Sequence, residues 1–105
     1  MHKVYALLGL CMRAGKISGG EAAAHAAIRS GECRLLIISE DASENTKKKF
    51  ANAATYYKVD CLQWGTKEAL GRAIGKAQRS VLAVCEEGFA AQLRSLCQTK
   101  EEGQQ

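Results

Sequence analysis

The sequence predicts an α/β fold, a three-layer α/β/α sandwich around a small mixed sheet. Two continuous apolar runs, Arg34-Leu35-Leu36-Ile37-Ile38-Ser39 and Ser80-Val81-Leu82-Ala83-Val84-Cys85, have the pattern of strands buried on both faces. The segments around them carry apolar residues at helical spacing, so strands and helices alternate along the chain.

Val4, Leu7, Leu8 and Cys11 recur at i, i+3, i+4, i+7 and predict a first helix ending near Gly15. Ser18-x-x-Glu21 matches a capping box, with Ser18 accepting from a first-turn amide and Glu21 reaching back. It opens a second helix that runs to about Ser30-Gly31 and packs through alanines. After the first buried strand, Asp41-x-x-Glu44 repeats the signature and opens a third helix, with Phe50, Ala53, Ala54 and Tyr57 as its apolar side. Val59 to Trp64 reads as a shorter strand. Thr66 caps a short fourth helix through Ile74, and Phe89, Leu93, Leu96 and Cys97 mark a last amphipathic helix.

The 105 residues, 47% hydrophobic and 25% charged, suffice for one compact domain with one modest core. We assign residues 1–98 to that domain and residues 99–105 to a polar tail expected to fray. The apolar N-terminal stretch is too short to span a membrane and lacks a small-residue cleavage site, which predicts a cytoplasmic protein. Cys11, Cys33, Cys61, Cys85 and Cys97 are odd in number, widely spread and without a Cys-x-x-Cys pair. They read as small buried hydrophobes rather than a zinc site or a disulfide framework. The net charge of +4 is uneven: residues 1–79 carry 13 basic and 7 acidic side chains, residues 80–105 carry 2 and 4. That asymmetry suits an electrostatic footprint for nucleic acid.

The segment with the most chemical content is Lys16-Ile17-Ser18-Gly19-Gly20-Glu21. Two glycines let another molecule approach the main chain, and the amides of the helix that follows attract anions and hydrogen-bond acceptors. Lys16 adds positive charge. Glu21 is either a capping residue or a carboxylate that accepts from the N–H groups of a base edge. Glu21, His25 and Arg29 share a polar face at i, i+4, i+8, which is either a solvated surface or an extension of the same site. Glu40 and Asp41 end a buried strand, where functional residues often lie in α/β folds, although Asp41 also suits a helix N-cap. Lys47-Lys48-Lys49, spread over about 200° of a helix, is a solvated run or a phosphate contact independent of base sequence. Lys76, Ala77, Gln78 and Arg79 form a loop beside a buried strand, a suitable position for binding.

Several functions find no support. Gly9 and Gly15 are separated by five residues rather than the four of a P-loop, and Ile17 stands where the magnesium-binding Ser or Thr would be. Gly65, Gly71 and Gly75 lack dinucleotide-fingerprint spacing. His2 and His25 are the only histidines, and no Ser or Cys lies in a nucleophile motif, so no catalytic residue, metal site or cofactor is assigned.

Leu70-Gly71-Arg72-Ala73-Ile74-Gly75-Lys76, with the Gly-Gly-Glu turn and the Ile-Ser-Glu-Asp strand end, resembles the kink-turn RNA-binding family of large-subunit ribosomal proteins. The segments from Ser39 to Lys49, Tyr56-Tyr57-Lys58-Val59 and Gly88-Phe89-Ala90 are similar to its bacterial YlxQ-like branch. The likeness covers about residues 3–97. It implies an α/β/α sandwich that binds structured RNA without catalysing a reaction, in a ribosome- or RNA-associated role. By position it implies base and backbone contacts at Gly19, Gly20 and Glu21, with Lys16 on phosphate, and Ser18 is counted in the same RNA-binding site. It also implies a loop of Lys76, Ala77, Gln78 and Arg79 over a flipped-out nucleotide, with Glu40 and Asp41 beside the same surface. Three positions depart from the pattern. Gly20 stands where kink-turn binders carry an asparagine, Ala24 where many carry a lysine, and the loop after Gly75 is polar where theirs tends to be apolar. The sequence therefore predicts an RNA-binding protein whose kink-turn selectivity is weakened. The alternative is a protein-interaction module that kept the fold and lost RNA affinity.

Overall fold

The computed structural model describes the backbone of residues 2–103 and the side chains of residues 2–97. Five helices and four strands follow one another as α1 (Lys3–Arg13), β1 (Ile17–Gly19), α2 (Glu21–Ser30), β2 (Leu35–Ile38), α3 (Glu44–Tyr57), β3 (Asp60–Gln63), α4 (Lys67–Ala73), β4 (Val81–Val84) and α5 (Glu87–Gly103). The sheet order is β1-β4-β2-β3. β2 and β3 are parallel, whereas β4 runs antiparallel to both of its neighbours, so the sheet is mixed as expected.

The central pair explains the two apolar runs. Every residue of β2 and β4 is buried, because successive side chains of a strand point to opposite faces and both faces are covered. Leu35, Ile37, Leu82 and Val84 join Val4, Leu7, Leu8 and Cys11 of α1, Leu70 of α4 and Ala90, Leu93 and Cys97 of α5 in one core. Leu36, Ile38, Val81 and Ala83 join Ala24, Ala27 and Ile28 of α2 and Phe50 and Ala54 of α3 in the other. The result is the three-layer sandwich, with two thin cores in place of one.

The first helix ends at Arg13, and Gly15 (φ 74°) turns the chain just beyond it, as expected. Four local expectations are corrected. The segment expected to be a turn contains β1, paired along the edge of β4 from Ile17↔Val84 to Gly19↔Leu82. Ser18 is therefore a strand residue and caps nothing. The N-cap of α2 is Gly20, which makes no side-chain cap bond. The N-cap of α3 is Ser43, whose hydroxyl accepts from the Thr46 amide at 3.1 Å, and not Asp41. Tyr57, expected on the apolar side of α3, is exposed, while Phe50 and Ala54 are buried as expected. Thr66 does cap α4, accepting from the Ala69 amide at 3.1 Å. α5 runs on to Gly103 through most of the expected tail, and Gln104 and Gln105 lie outside the described residues.

Candidate nucleic-acid interface

Two chain reversals meet at one end of β4. On one side β1 ends at Gly19, and the Gly20 amide donates to the Val81 carbonyl at 2.8 Å before the chain turns into α2. Gly20 has φ 99° and ψ 162°, a conformation that is essentially restricted to glycine. On the other side α4 ends at Ala73, and the segment 74–80 folds back over it. The Lys76 amide donates to the Gly71 carbonyl at 2.8 Å and the Arg79 amide to the Lys67 carbonyl at 3.0 Å. Between them lies an open hollow of about 500 Å³, whose walls include Gly19, Gly20, Glu21, Gln78, Arg79 and Ser80.

The chemistry of this hollow is that of an acceptor for anions. The first amides of α2 have no intrahelical partner, and with glycine at the cap no side chain satisfies them. Arg79 lies across the opening, its Cδ and Nε each 3.7 Å from where a Cβ on Gly20 would stand. Its Nη1 donates to the carbonyls of Gln78 at 2.9 Å and Ala77 at 3.3 Å, which fixes the guanidinium over its own loop. Lys76, Ala77 and Gln78 are exposed beside it.

Glu21 stands at the rim and points towards α3. Its Oε2 accepts from the Thr46 hydroxyl at 3.0 Å, and Thr46 accepts in turn from the Ser43 hydroxyl at 3.0 Å. His25, one turn on, is half-buried with its ring edge-on to Phe50, centroids 6.1 Å apart. Glu21 and His25 thus lie along the junction with α3, Glu21 exposed and His25 half-buried, while Arg29, in the last turn, is exposed away from that junction. Ala24 is wholly buried against the sheet, so the alanine present at that position offers a ligand nothing.

The remaining candidates from the sequence lie elsewhere. Lys16 is at the opposite end of β1, where its carbonyl accepts from the Cys85 amide at 2.8 Å. At about 3.3 Å per strand residue that is roughly 13 Å of chain from Gly20. Lys16 and Ser18 line a separate hollow with Glu32, Arg34 and Cys85. Extended strand therefore separates residues that a tight turn would have gathered. Glu40 and Asp41 sit at the same end of the sheet as the hollow, where the Ser39 amide meets the Ser80 carbonyl, but they do not line it. Asp41 instead braces the start of α4, where its Oδ1 accepts from the Lys67 amide at 2.9 Å. That hydrogen bond holds the Asp41 carboxyl below its usual range. Thr46 and Gly71 carry roles that the sequence did not reveal. A Ser-x-x-Thr pair at the start of α3 was visible, but nothing local tied it to Glu21.

No nucleophile emerges from the thiols. Burial pushes Cys11 up to about 11 and Cys33 up to about 12, and it also raises Cys61 and Cys85. Among the described residues no three His, Cys, Asp or Glu side chains converge as metal ligands. No described helix is long and apolar enough to cross a membrane.

A small α/β/α domain that presents bare helix amides beside an anchored arginine is equipped to hold a ligand through backbone and charge. The chain is a member of the Ribosomal protein L7Ae/L30e/S12e/Gadd45 family, whose profile matches residues 2–94. It is 44% identical to the RNA-binding protein YlxQ of Bacillus subtilis over 92 residues, covering 88% of this chain and 92% of that protein. It is 38% identical to the RNA-binding protein YlxQ of Enterococcus faecium over 95 residues, 90% of this chain and 91% of that one. A protein of unknown function from Bacillus halodurans C superposes with a TM-score of 0.85 at 37% identity, covering 91% and 97% of the two chains. The 15.5kD RNA binding protein of Giardia lamblia has the same fold, with a TM-score of 0.72 at 20% identity and coverage of 88% and 85%.

Proposed function

We propose that this protein binds structured RNA in the cytoplasm and catalyses no reaction. The observation that carries the reading is the uncapped N-terminus of α2 beside Arg79. Amides and guanidinium face one hollow, and a phosphate or a base acceptor placed there meets both. Relatives named as RNA-binding proteins support it. Glu21, positioned by Thr46, supplies an acceptor for base N–H groups, the one element of direct readout at the site. A kinked element, in ribosomal or other RNA, fits because a bend opens base edges and brings phosphates together around one small surface. Without an asparagine at position 20, selectivity rests on Glu21, on the amides and on the loop at 76–79.

Filter binding of a hairpin RNA with a kinked internal loop, over a salt series, tests this directly. Affinity should fall as salt rises, and Arg79→Ala should reduce the slope by about one. Lys16→Ala, at the far end of β1, should leave the slope unchanged. Binding insensitive to salt, or weakened equally by both substitutions, would overturn the assignment.

A further inference from the structure

The outer face of α3 carries a pattern that the hollow does not use. Lys49, Asn52 and Tyr56 follow at i, i+3 and i+7 and so lie on one side of the helix, and all three are exposed or nearly so. Tyr56 is 78% exposed, more than any other large apolar side chain described. Its ring is held edge-on by Tyr57, with centroids 4.9 Å apart and planes at 77°. Lys48 flanks the row, and Lys58, the C-cap in left-handed conformation, stands exposed beyond its end. Glu44 is the sole acidic residue of α3, and it lies 3.7 Å from the half-buried Lys47. Among the described residues neither Lys48 nor Lys49 has an acidic partner, and Lys49 Nζ rests 5.5 Å from the Phe50 ring centroid.

Exposed aromatic surface costs free energy in water, and a row of cations beside it opposes assembly with a second copy of a basic chain. The combination matches a strand of unpaired nucleotides, whose bases offer flat faces and whose phosphates offer negative charge. The start of α3 lies beside the hollow, because Thr46, one turn before Lys49, touches Glu21 at the rim. Tyr56 stands about 15 Å further along the helix at 1.5 Å per residue.

We propose that this face of α3 is a second RNA contact, taking a single strand that flanks the element held between Gly20 and Arg79. Tyr56 stacks on an unpaired base, while Lys48 and Lys49 neutralise phosphates on the way. The proposal rests on the RNA-binding reading of the hollow for its biological setting, but its physical test is separate.

The probes are an unstructured RNA of about twelve nucleotides, within the range of one single-strand site, and an abasic strand of the same length. A blunt hairpin with no overhang serves as the third. Wild-type protein should bind the base-carrying strand about tenfold more tightly than the abasic one, the order of one stacked base. Tyr56→Ala should abolish that difference and leave hairpin binding intact, and Tyr56→Phe, which keeps the ring, should retain it. Equal affinity for the two strands, or a preference that survives Tyr56→Ala, would overturn the proposal. A hairpin that fails to bind, or that ignores Arg79→Ala, counts against the hollow alone, because the two strands still decide the role of α3.

Discussion

Gly71 and Ala77 meet backbone against backbone. A Cβ on Gly71 would collide with the Ala77 carbonyl oxygen and would lie 2.7 Å from its carbon and 3.0 Å from the Gln78 Cα. The loop that carries Arg79 is therefore seated on a glycine of α4. The obstructing atoms are main chain, so they cannot rotate away. Gly71→Ala should destabilise the fold by about 1–3 kcal/mol, as overpacking does, and lift residues 76–79. Urea titration would give the first effect. RNA affinity measured well below the unfolding midpoint would give the second, and an unchanged affinity would show that the seat is dispensable.

Gly20 yields a prediction of the opposite kind, because the space beside it is open. A Cβ there meets Arg79 Cδ and Nε at an ordinary 3.7 Å, yet φ is 99°. Gly20→Asn, which supplies the side chain kink-turn binders carry, should therefore cost about 1–3 kcal/mol in backbone strain without any clash. Thermal denaturation of Gly20→Asn and Gly20→Ala should show similar losses. An asparagine variant as stable as wild type would mean that the turn relaxes on substitution.

Thr46 affects Glu21 without touching the hollow. Replacing it with valine removes the hydroxyl donated to Glu21 Oε2, while both residues stay near the surface. Stability should change by less than about 0.5 kcal/mol, as at most surface sites. Discrimination between a kinked RNA and a variant with altered bases at the kink should fall towards that of Glu21→Ala. Equal discrimination in wild type and Thr46→Val would remove Thr46 from the readout.

Asp41 predicts a pH dependence. Its carboxyl is held below the ordinary 3.8, chiefly by the Lys67 amide. Between the folded and unfolded values the unfolded chain binds more protons, so stability rises with pH through that window. The contribution is complete above about pH 4 and is lost as pH falls through the folded value. Asp41→Asn should flatten the acid limb of the stability curve, read by circular dichroism from pH 5 downwards. An unaltered limb would show that the hydrogen bond carries no linkage.

Most of what depended on local periodicity was legible in the sequence, Tyr57 being the exception. The buried runs in β2 and β4, the α1 stripe at Val4, Leu7, Leu8 and Cys11 and the Thr66 cap all follow from patterns a few residues long. β1 did not, because Ile17-Ser18-Gly19 becomes a strand only by pairing with β4, more than sixty residues away in the chain. Missing that strand misplaced Lys16, since three extended residues carry it to the other end of the sheet. Ser18 and Glu21 have capping-box spacing, but Ser18 is committed to the ladder and Glu21 to Thr46. Asp41 was recognisable as a cap, and the helix it serves lies 26 residues on instead of in the next segment. That Gly20 and Arg79 stand against each other follows from no spacing; the family likeness implied only that their two segments share a surface.

The brevity of β1 matters outside recognition as well. Sheets end in strands whose outer amides and carbonyls invite another chain to add on, and long flat edges of that kind seed aggregates. β1 offers three residues before the chain swings into α2, and β3, at the other edge, offers four. Neither is long enough to template a growing cross-β stack. The abrupt stop at Gly19 that exposes the amides of α2 thus also protects a protein with two fully apolar central strands from pairing with copies of itself at high concentration.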